Sequence, residues 1–367
     1  MSRRSFVGAM GLGLAAGLTG KAARAAQTGP EIKWRLAASY PKNTDILLGG
    51  PKQVAQRVAE ATNNRFQIQV FAAGEIVPGL QVLDAVQNGT VECGHSASYY
   101  YVGKNPALAF DTTLPFGLNT RQQNAWVNVG GGQALLNDLF KTFNIYPIPC
   151  GNTGAQMGGW YRNEIKSLSD LKGLKMRISG IAGQVLAKLG VIPQQLAGGD
   201  VYSALEKGSI DAAEWVGPYD DEKLGLYRVA KHYYYPGFWE GSAMTSLYIN
   251  RKQWDELPPD YRAIVQAACA EANLAMTARF DALNPAALKR LVAAGAKLHA
   301  FPRDILEAAE KAAFELYDEI AAANPEFRKI YIPWLAFRRD VQLWFRIGEN
   351  YFDNFNSTNR VTSKYLS

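Results

Sequence analysis

Two segments of this chain repeat one pattern, and that pattern restricts the folds that the chain can adopt. Residues 85–94 read AVQNGTVECG, and residues 204–213 read ALEKGSIDAA. In each segment a short amphipathic helix ends at a glycine (Gly89, Gly208), and a β-branched residue then begins a strand. A glycine just beyond a helix adopts the left-handed conformation that turns the chain directly into a strand. Two such joints predict two similar α/β lobes with a crevice between them, where α/β proteins bind small ligands.

The rest of the chain fits this α/β prediction up to about residue 258. Apolar residues alternate along short segments that are typical of strands, at 65–71, 91–96 and 174–178. Helical spacing separates these segments, and strands that alternate with helices predict largely parallel sheets. Beyond residue 258 the pattern changes to long alanine-rich helices, predicted over 261–282, 286–294, 303–323 and 327–355.

The N-terminus has the layout of an export signal. Arg3 and Arg4 precede a glycine-, alanine- and leucine-rich run over 7–20, and Ala23-Arg24-Ala25 offers a small-residue cleavage site. The apolar run is too short to be a lasting membrane span. The paired arginines favour the twin-arginine route, although an ordinary secretory signal with adjacent arginines is the alternative. We therefore predict a signal peptide over residues 1–26, cleaved near Ala25 or Ala26, and a periplasmic protein.

The net charge of the mature chain argues against a nucleic-acid partner. The whole sequence carries +6, but its first 25 residues contain four bases and no acid, which leaves +2 on the exported protein. No block of lysines and arginines remains to form a basic surface for nucleic acid. The three cysteines (Cys93, Cys150, Cys269) lie in apolar segments, and we expect buried free thiols.

Arg177 is the first candidate for ligand binding. It lies near the end of a short apolar strand in LKGLKMRISG, where the strand end would face the crevice. A guanidinium there can bind a carboxylate through two parallel hydrogen bonds, which a lysine cannot do. The alternative is a surface arginine paired with a nearby acid.

Four further positions supply oxygen atoms near predicted strand ends. Glu214 and Trp215 follow the second joint directly, Glu240 follows an aromatic run, and Gln156 lies among small residues in GAQMGG. Two carboxylates, an amide oxygen and a main-chain carbonyl form a set that suits a hard cation such as Na⁺ or Ca²⁺. The alternative is that each glutamate is only solvated or paired.

Taken together, these motifs resemble the solute-binding receptors of tripartite ATP-independent periplasmic (TRAP) transporters. The resemblance rests on the export signal, LSDLKGLKMR, ALEKGSIDAAEW, the FDTTLPFG segment at 110–117 and the helical C-terminus. It covers essentially the whole mature chain. It implies an α/β, two-lobed Venus-flytrap fold with a long helix bracing the hinge, and a receptor that delivers its ligand to membrane subunits.

The resemblance also implies roles for individual residues. The combination of Gln156, Glu214-Trp215 and Glu240 is most similar to the branch that binds 2-oxo acids or lactate through a cation. Arg177 resembles the carboxylate-binding arginine, and Tyr101 and Asn152 resemble further substrate contacts, with Tyr99, Tyr100 and Thr153 as rivals. The predicted substrate contacts are therefore Arg177, Asn152, Tyr101, Gln156, Glu214 and Trp215. The predicted metal ligands are Gln156, Glu214, the Trp215 carbonyl and Glu240.

The charge of the site and the resemblance favour different cations. Two glutamates and the ligand give −3 against +1 from Arg177, which favours Ca²⁺. The 2-oxo acid receptors that this chain resembles favour Na⁺, which we take as the expectation, with Ca²⁺ as the alternative. The expected ligand is a small 2-oxo monocarboxylate such as pyruvate or 2-oxobutyrate.

The expected organisation divides the chain into five parts. A signal (1–26) precedes lobe 1 (27–150 with 240–285), lobe 2 (151–239), C-terminal helices (286–359) and a tail (360–367). The helix over 327–355 carries nine aromatic residues, more than one lobe can readily cover. It therefore predicts a homodimer that exchanges this helix, with a monomer whose helix folds back under the hinge as the alternative.

The alternative function is that of an exported enzyme, such as a hydrolase or a metal-assisted lyase acting on a 2-oxo or 2-hydroxy acid. Its best motif, GHSAS at 94–98, misses the last glycine of a nucleophile elbow. The three histidines lack the spacing of a zinc-binding helix. A structural or adhesive module would not need Arg177 and two glutamates at strand ends. We therefore expect a binding protein and not an enzyme.

Overall fold

The computed structural model describes residues 29–358. Within this range the strands are β1 (Ile32–Ala38), β2 (Phe66–Phe71), β3 (Cys93–Ser96), β4 (Ile145–Asn152), β5 (Trp160–Tyr161), β6 (Lys175–Arg177), β7 (Ile192–Gln194), β8 (Ala212–Ala213), β9 (His232–Tyr235), β10 (Met244–Asn250) and β11 (Lys297–Ala300). The helices are α1 (Gly49–Ala61), α2 (Val82–Gln87), α3 (Ala109–Thr112), α4 (Thr120–Asn128), α5 (Gly132–Lys141), α6 (Gly180–Lys188), α7 (Gly198–Glu206), α8 (Pro218–Leu224), α9 (Arg251–Glu256), α10 (Pro259–Ala293), α11 (Arg303–Ala323), α12 (Pro325–Ile347) and α13 (Glu349–Thr358). The predicted signal peptide and the tail from residue 360 lie outside the described residues.

The strands form two separate sheets, and each sheet is the centre of one lobe. The sheet of lobe 1 has the order β2-β1-β3-β10-β4, with β1 parallel to β2 and β3 and with β10 antiparallel to both of its neighbours. The sheet of lobe 2 has the order β11-β9-β5-β8-β6-β7. Its β6 is parallel to β7 and β8, whereas β5 is antiparallel to β8 and β9. The two-lobed α/β architecture is the one predicted from the repeated joints.

The two joints have the same backbone geometry. Gly89 and Gly208 have φ values of 70° and 73°, in the left-handed region that favours glycine. In each joint the residue after the glycine donates its N–H to a carbonyl five residues back, Thr90 to Ala85 at 2.8 Å and Ser209 to Ala204 at 3.1 Å. The repeated sequence therefore builds the same turn from helix to strand twice, once before β3 and once before β8.

Two chain segments and one helix connect the lobes. The segments 153–159 and 236–243 pass from lobe 1 to lobe 2 and back, and hydrogen bonds join their main chains. The N–H of Gln156 donates to the carbonyl of Glu240 at 3.0 Å, and that of Gly237 donates to the carbonyl of Gln156 at 3.0 Å. Helix α10 packs on β4 and α1 in lobe 1 and on α8 in lobe 2. The segments and the helix together form the hinge.

Helix α10 is longer than the sequence predicted. The sequence predicted a break between residues 282 and 286, but one helix continues through Pro285 to Ala293. A proline removes one main-chain donor and usually ends or bends a helix. Phe280 and Ala287, on either side of Pro285, are both fully buried. Burial of this face against the body favours a continuous helix.

The C-terminal segment contains a strand as well as helices. The sequence assigned 286–359 to helices, but β11 lies within this range and pairs in parallel with β9. The predicted helix over 327–355 is two helices, because α12 ends at Ile347 and α13 begins at Glu349. Phe327, Ile330 and Trp334 of α12 are buried against the body, whereas no residue of α13 is buried. Within residues 29–358, no helix combines the length and the apolar character that a membrane span requires.

Candidate functional site

Arg177 is the last residue of β6 and is buried in the crevice between the lobes. Its side chain is 1% exposed, so it is not a surface arginine. Its Nη1 donates to the Glu214 carboxylate at 2.9 Å and also to the main-chain carbonyl of Glu214. Its guanidinium lies 5.0 Å from the ring centroid of Trp215. The parallel pairing of β6 with β8 brings these residues together, because Arg177 is opposite Ala213, which immediately precedes Glu214.

Three buried side-chain oxygens lie at this site without a hydrogen-bond partner in the structure. They are Glu214 Oε1, Glu240 Oε2 and Gln156 Oε1, on residues that are 0%, 2% and 5% exposed. The Gln156 amide nitrogen donates to Thr153 Oγ1 at 3.0 Å, which leaves the amide oxygen as its free acceptor. A buried oxygen without a partner is costly, so three of them on neighbouring segments point to a bound group.

Glycines allow the segments that carry these oxygens to approach one another. A Cβ atom on Gly159, which has a φ of 82°, would lie 2.6 Å from the carbonyl oxygen of Ala213 and 2.9 Å from the Glu214 Cα. A Cβ atom on Gly237 would lie 2.6 Å from the carbonyl oxygen of Gln156. These distances are shorter than real Cβ contacts, so only glycine fits at either position.

The two glutamates are electrostatically unfavourable as a pair. Burial raises the pKa of Glu214 well above its usual value, and the Glu240 carboxylate raises it further. Burial also raises the pKa of Glu240 to about 8, although Arg177 and a hydrogen bond from Tyr99 act to lower it. One guanidinium faces two carboxylates, so the fully ionised site carries excess negative charge. A cation would relieve that charge.

The donor set fits a hard cation. Gln156, Glu214 and Glu240 each direct an unpartnered oxygen into the site, and the main-chain carbonyl of Trp215 is the fourth predicted ligand. Oxygen donors of this kind suit Na⁺ and Ca²⁺. In the part of the chain that the structure describes, no three His, Cys, Asp or Glu side chains form a metal cluster. Any cation here would therefore depend on amide and carbonyl oxygens as well as the two carboxylates.

The lobes are closed over the site. The crevice is lined from lobe 1 by residues that include Tyr40, Tyr99 and Tyr100, and from the hinge and lobe 2 by Gln156 and Trp215. Gln195 of lobe 2 donates its side-chain amide to the Tyr100 carbonyl at 2.7 Å. A Cβ atom on Gly180, the first residue of α6, would lie 2.9 Å from the Cβ of Tyr99.

Asn152, at the end of β4, has one free donor. Its Oδ1 accepts hydrogen bonds from Thr120 Oγ1 at 3.3 Å and from the Gly154 N–H at 2.9 Å. Its Nδ2 is buried and has no partner. As a substrate contact it stays a prediction, and the free amide group is consistent with that role.

The structure does not bring Tyr101 to the crevice. Its hydroxyl accepts from the Leu83 N–H at 3.2 Å and hydrogen-bonds to Ser96 Oγ at 2.9 Å, both within lobe 1. Tyr99 and Tyr100 line the crevice in its place. Three consecutive tyrosines occupy one short turn (Ser98–Tyr101), and the sequence gives no period from which to choose among them.

The rival enzyme motif is part of the lobe 1 core. Ser96 is fully buried, and its hydroxyl hydrogen-bonds to Ser39 Oγ at 2.6 Å. His95 is also fully buried, with Nε2 3.2 Å from Thr245 Oγ1. All three cysteines are free and buried, as predicted. GHSAS is therefore a buried structural segment and not an exposed nucleophile.

The closed two-lobed fold and its charged crevice define a solute-binding receptor, and comparison with known proteins gives the family. The family model "Bacterial extracellular solute-binding protein, family 7" (DctP) matches residues 37–324. The chain belongs to this family and is a TRAP solute-binding receptor, which confirms the resemblance found in the sequence.

Similar proteins have been described with related ligands. A monocarboxylate 2-oxoacid-binding periplasmic protein of Nostoc sp. (all3028) is 53% identical over 90% of this chain and 91% of its own length. A TRAP solute-binding protein of Bordetella bronchiseptica (52% identity, TM-score 0.88, 89% and 98% covered) is a mixed-occupancy dimer with copurified calcium and picolinate. One from Pseudoalteromonas atlantica (36% identity, TM-score 0.86, 90% and 100% covered) contains sodium and pyruvate.

The raised pKa of Glu240 predicts how stability depends on pH when no cation is present. Because its pKa rises from 4.5 to about 8 on folding, the folded protein binds more protons than the unfolded chain between these values. The contribution of Glu240 to the free energy of unfolding is therefore complete below pH 4.5. It decreases as the pH rises and is lost once the pH passes 8. We expect the unfolding temperature in chelator and sodium-free buffer to fall from pH 5 to pH 9.

Glu240→Gln, which cannot ionise, should make this pH profile flatter, and Ca²⁺ should raise the unfolding temperature most at high pH. Glu75→Gln is the control, because Glu75 is an exposed acid paired with Lys42 and its pKa is lowered. An unfolding temperature that falls equally with pH in wild type and Glu240→Gln would contradict this account of the site.

Proposed function

We propose that the crevice binds a small 2-oxo monocarboxylate, such as pyruvate or 2-oxobutyrate, for delivery to membrane transporter subunits. The observation that carries the proposal is a buried guanidinium beside two buried glutamates, with three oxygens that lack partners. A ligand with a carboxylate and an adjacent oxo group offers one charge for Arg177 and oxygens for a cation. The ligands described for the relatives support this substrate class.

In this proposal Arg177 binds the substrate carboxylate. Its Nη1 holds Glu214, so the guanidinium plane is fixed before the ligand arrives. A guanidinium has five donors in one plane, which allows it to hold Glu214 and a second carboxylate together. The Asn152 amide supplies a further donor, and Tyr99 or Tyr100 takes the place predicted for Tyr101.

A hard cation completes the proposed site and supplies the positive charge that joins the glutamates to the ligand's oxygens. The ligands of this cation would be Gln156, Glu214, the Trp215 carbonyl and Glu240. The first three would also contact the substrate through the cation. Two buried carboxylates and an anionic ligand favour a divalent ion. Calcium and sodium are both described in relatives, so we propose a site that accepts either ion.

We further propose that the receptor works in the periplasm after cleavage near Ala25 or Ala26. Lobe 1 would comprise residues 27–150 and 240–285, lobe 2 residues 151–239, and the C-terminal segment residues 286–359, of which β11 joins the sheet of lobe 2. The family is one of solute-binding receptors, so the ligand would be released unchanged. Recovery of unaltered pyruvate after incubation with the protein would support a receptor, whereas turnover would favour the enzyme alternative.

Replacement of Arg177 tests the proposed function. Arg177→Met should weaken pyruvate binding by about 2–5 kcal/mol, because a buried carboxylate loses its charged partner. Arg177→Lys keeps the charge but not the planar donors, so we expect an intermediate loss. Isothermal titration calorimetry with Ca²⁺ present measures both effects.

Arg228→Met, at an exposed arginine of lobe 2, is the matched control and should bind pyruvate as the wild type does. Because Arg177→Met leaves Glu214 buried without its partner, circular dichroism should first establish that the variant is folded. Folded Arg177→Met and Arg177→Lys proteins with near wild-type pyruvate affinity would rule out the carboxylate role.

We also propose that the protein is a homodimer formed through its C-terminal helices. Five apolar side chains along the end of α12 and on α13 are 58–74% exposed: Leu343, Trp344, Ile347, Tyr351 and Phe352. Arg121 pairs with Glu349 at 2.5 Å and lies over the Phe345 ring, so α13 begins at a fixed point on the body. A row of exposed apolar side chains on an anchored helix is typical of an interface with a second copy.

Light scattering on the mature protein at micromolar concentration tests the dimer. We expect the mass of two chains for the wild type and of one chain for a variant with Tyr351→Asp and Phe352→Asp. Leu274→Asp, at an exposed apolar residue of α10 outside this segment (73% exposed), should remain dimeric. A wild-type protein with the mass of one chain would show that these side chains do not form a dimer.

A further inference from the structure

One carboxylate of lobe 1 contacts lobe 2 outside the ligand site. Asp45 lies between β1 and α1, and its Oδ2 accepts hydrogen bonds from Tyr219 Oη at 3.2 Å and from Arg279 Nη2 at 3.1 Å. Its Oδ1 forms an ion pair with Lys223. The Lys223 ammonium also lies 4.2 Å from the centroid of the Tyr219 ring.

The partners of Asp45 are attached to the segment that carries the site. Tyr219 and Lys223 lie on α8, which begins three residues after Trp215. The Tyr219 N–H donates to Asn284 Oδ1 on α10 at 3.0 Å, which fixes the start of α8 on the hinge helix. Movement of α8 away from lobe 1 would therefore also move Glu214 and Trp215.

Only part of this cluster depends on closure of the lobes. Arg279 is on the hinge helix α10, which packs on β4 and α1 of lobe 1 as well as on α8, so its contact with Asp45 does not need lobe 2. The contacts with Tyr219 and Lys223 join residues of different lobes, so we expect opening of the crevice to break them. We therefore expect Asp45 to keep its contact with Arg279 in both states and to contact Tyr219 and Lys223 only in the closed state.

The charges of the cluster favour the closed state at neutral pH. Burial acts to raise the pKa of Asp45, but the hydrogen bond and the charge of Lys223 together with hydrogen bonds from the main chain and Tyr219 outweigh it, so the pKa is lowered. Burial acts to lower the pKa of Lys223, but Asp45 and Tyr219 raise it. Both groups are therefore ionised. Because the Asp45 side chain is 43% exposed, we expect a moderate stabilisation that adjusts ligand release.

We infer that Asp45 is a positioning residue that holds the closed crevice shut through Tyr219 and Lys223 and so slows ligand release. The inference rests on the proposed function, because release is measured with a 2-oxo acid. Asp45 would act without touching the ligand, by shifting the balance between open and closed lobes.

Stopped-flow fluorescence with pyruvate and Ca²⁺ separates release from capture. Asp45→Ala and Lys223→Met should each raise the dissociation rate about fivefold, with the association rate nearly unchanged. The double variant should be no faster than the single variants, because both remove the same contact. The unfolding temperature of the ligand-free protein should change little when Lys223 is replaced, whereas a merely structural role would predict a clear fall.

Asp84→Ala is the matched control. Asp84 pairs with Lys104 at 2.7 Å, both side chains are 40% exposed, and both residues belong to lobe 1. This variant should release pyruvate at the wild-type rate. Dissociation rates in Asp45→Ala and Lys223→Met that equal the wild-type rate, in protein that binds pyruvate, would overturn the inference while leaving the proposed function intact.

A wild-type protein that binds no 2-oxo acid would contradict the proposed function, and a ligand-free measurement would then test Asp45. Spin labels at Lys52→Cys on α1 and Glu206→Cys on α7 report the distance between the lobes, since both positions are exposed and the native cysteines are buried. We expect a smaller closed fraction in Asp45→Ala than in wild type. Identical distance distributions would overturn the inference.

Discussion

The buried ion pair between Arg177 and Glu214 is the interaction on which the site depends. It joins the end of β6 to the residue after β8 and fixes both side chains in the crevice. Two fully buried charges are costly to desolvate, and their attraction offsets that cost only with further hydrogen bonds. Glu240 adds a second carboxylate that Arg177 alone does not neutralise. Arg177 alone therefore does not balance the charge of the crevice, and in our proposal a cation and an anionic ligand do so.

The hinge brings the remaining donor atoms to this pair. Gln156 and Glu240 lie on the two segments that cross between the lobes, and their main chains are hydrogen-bonded to each other. Closure therefore assembles oxygens from the hinge with the ion pair of lobe 2, and the aromatic turn of lobe 1 covers them. Asp45 contacts Tyr219 and Lys223 of α8, which begins three residues after Trp215, and we infer that it acts on the same movement. Binding and closure are thus two aspects of one rearrangement.

Much of this arrangement could be predicted from sequence where the signal is local. The repeated joints predicted two lobes, and the apolar segment that ends at Arg177 predicted a buried strand end. Tyr101 could not be separated from its neighbours, because a turn of consecutive tyrosines has no period. Helix α10 continues through Pro285 because packing outweighs local propensity. The Asp45 cluster could not be predicted, because its members are distant in sequence and only the closed fold brings them together.

We propose above all that a cation joins the two glutamates to the carboxylate and oxo oxygens of the ligand. Calorimetric titration of pyruvate into protein freed of metal ions by chelation, in sodium-free buffer, tests this claim most directly. We predict little or no binding under these conditions and restored binding when Ca²⁺ or Na⁺ is added, with no restoration in Glu240→Gln. Pyruvate binding of equal affinity with and without these ions would contradict the account.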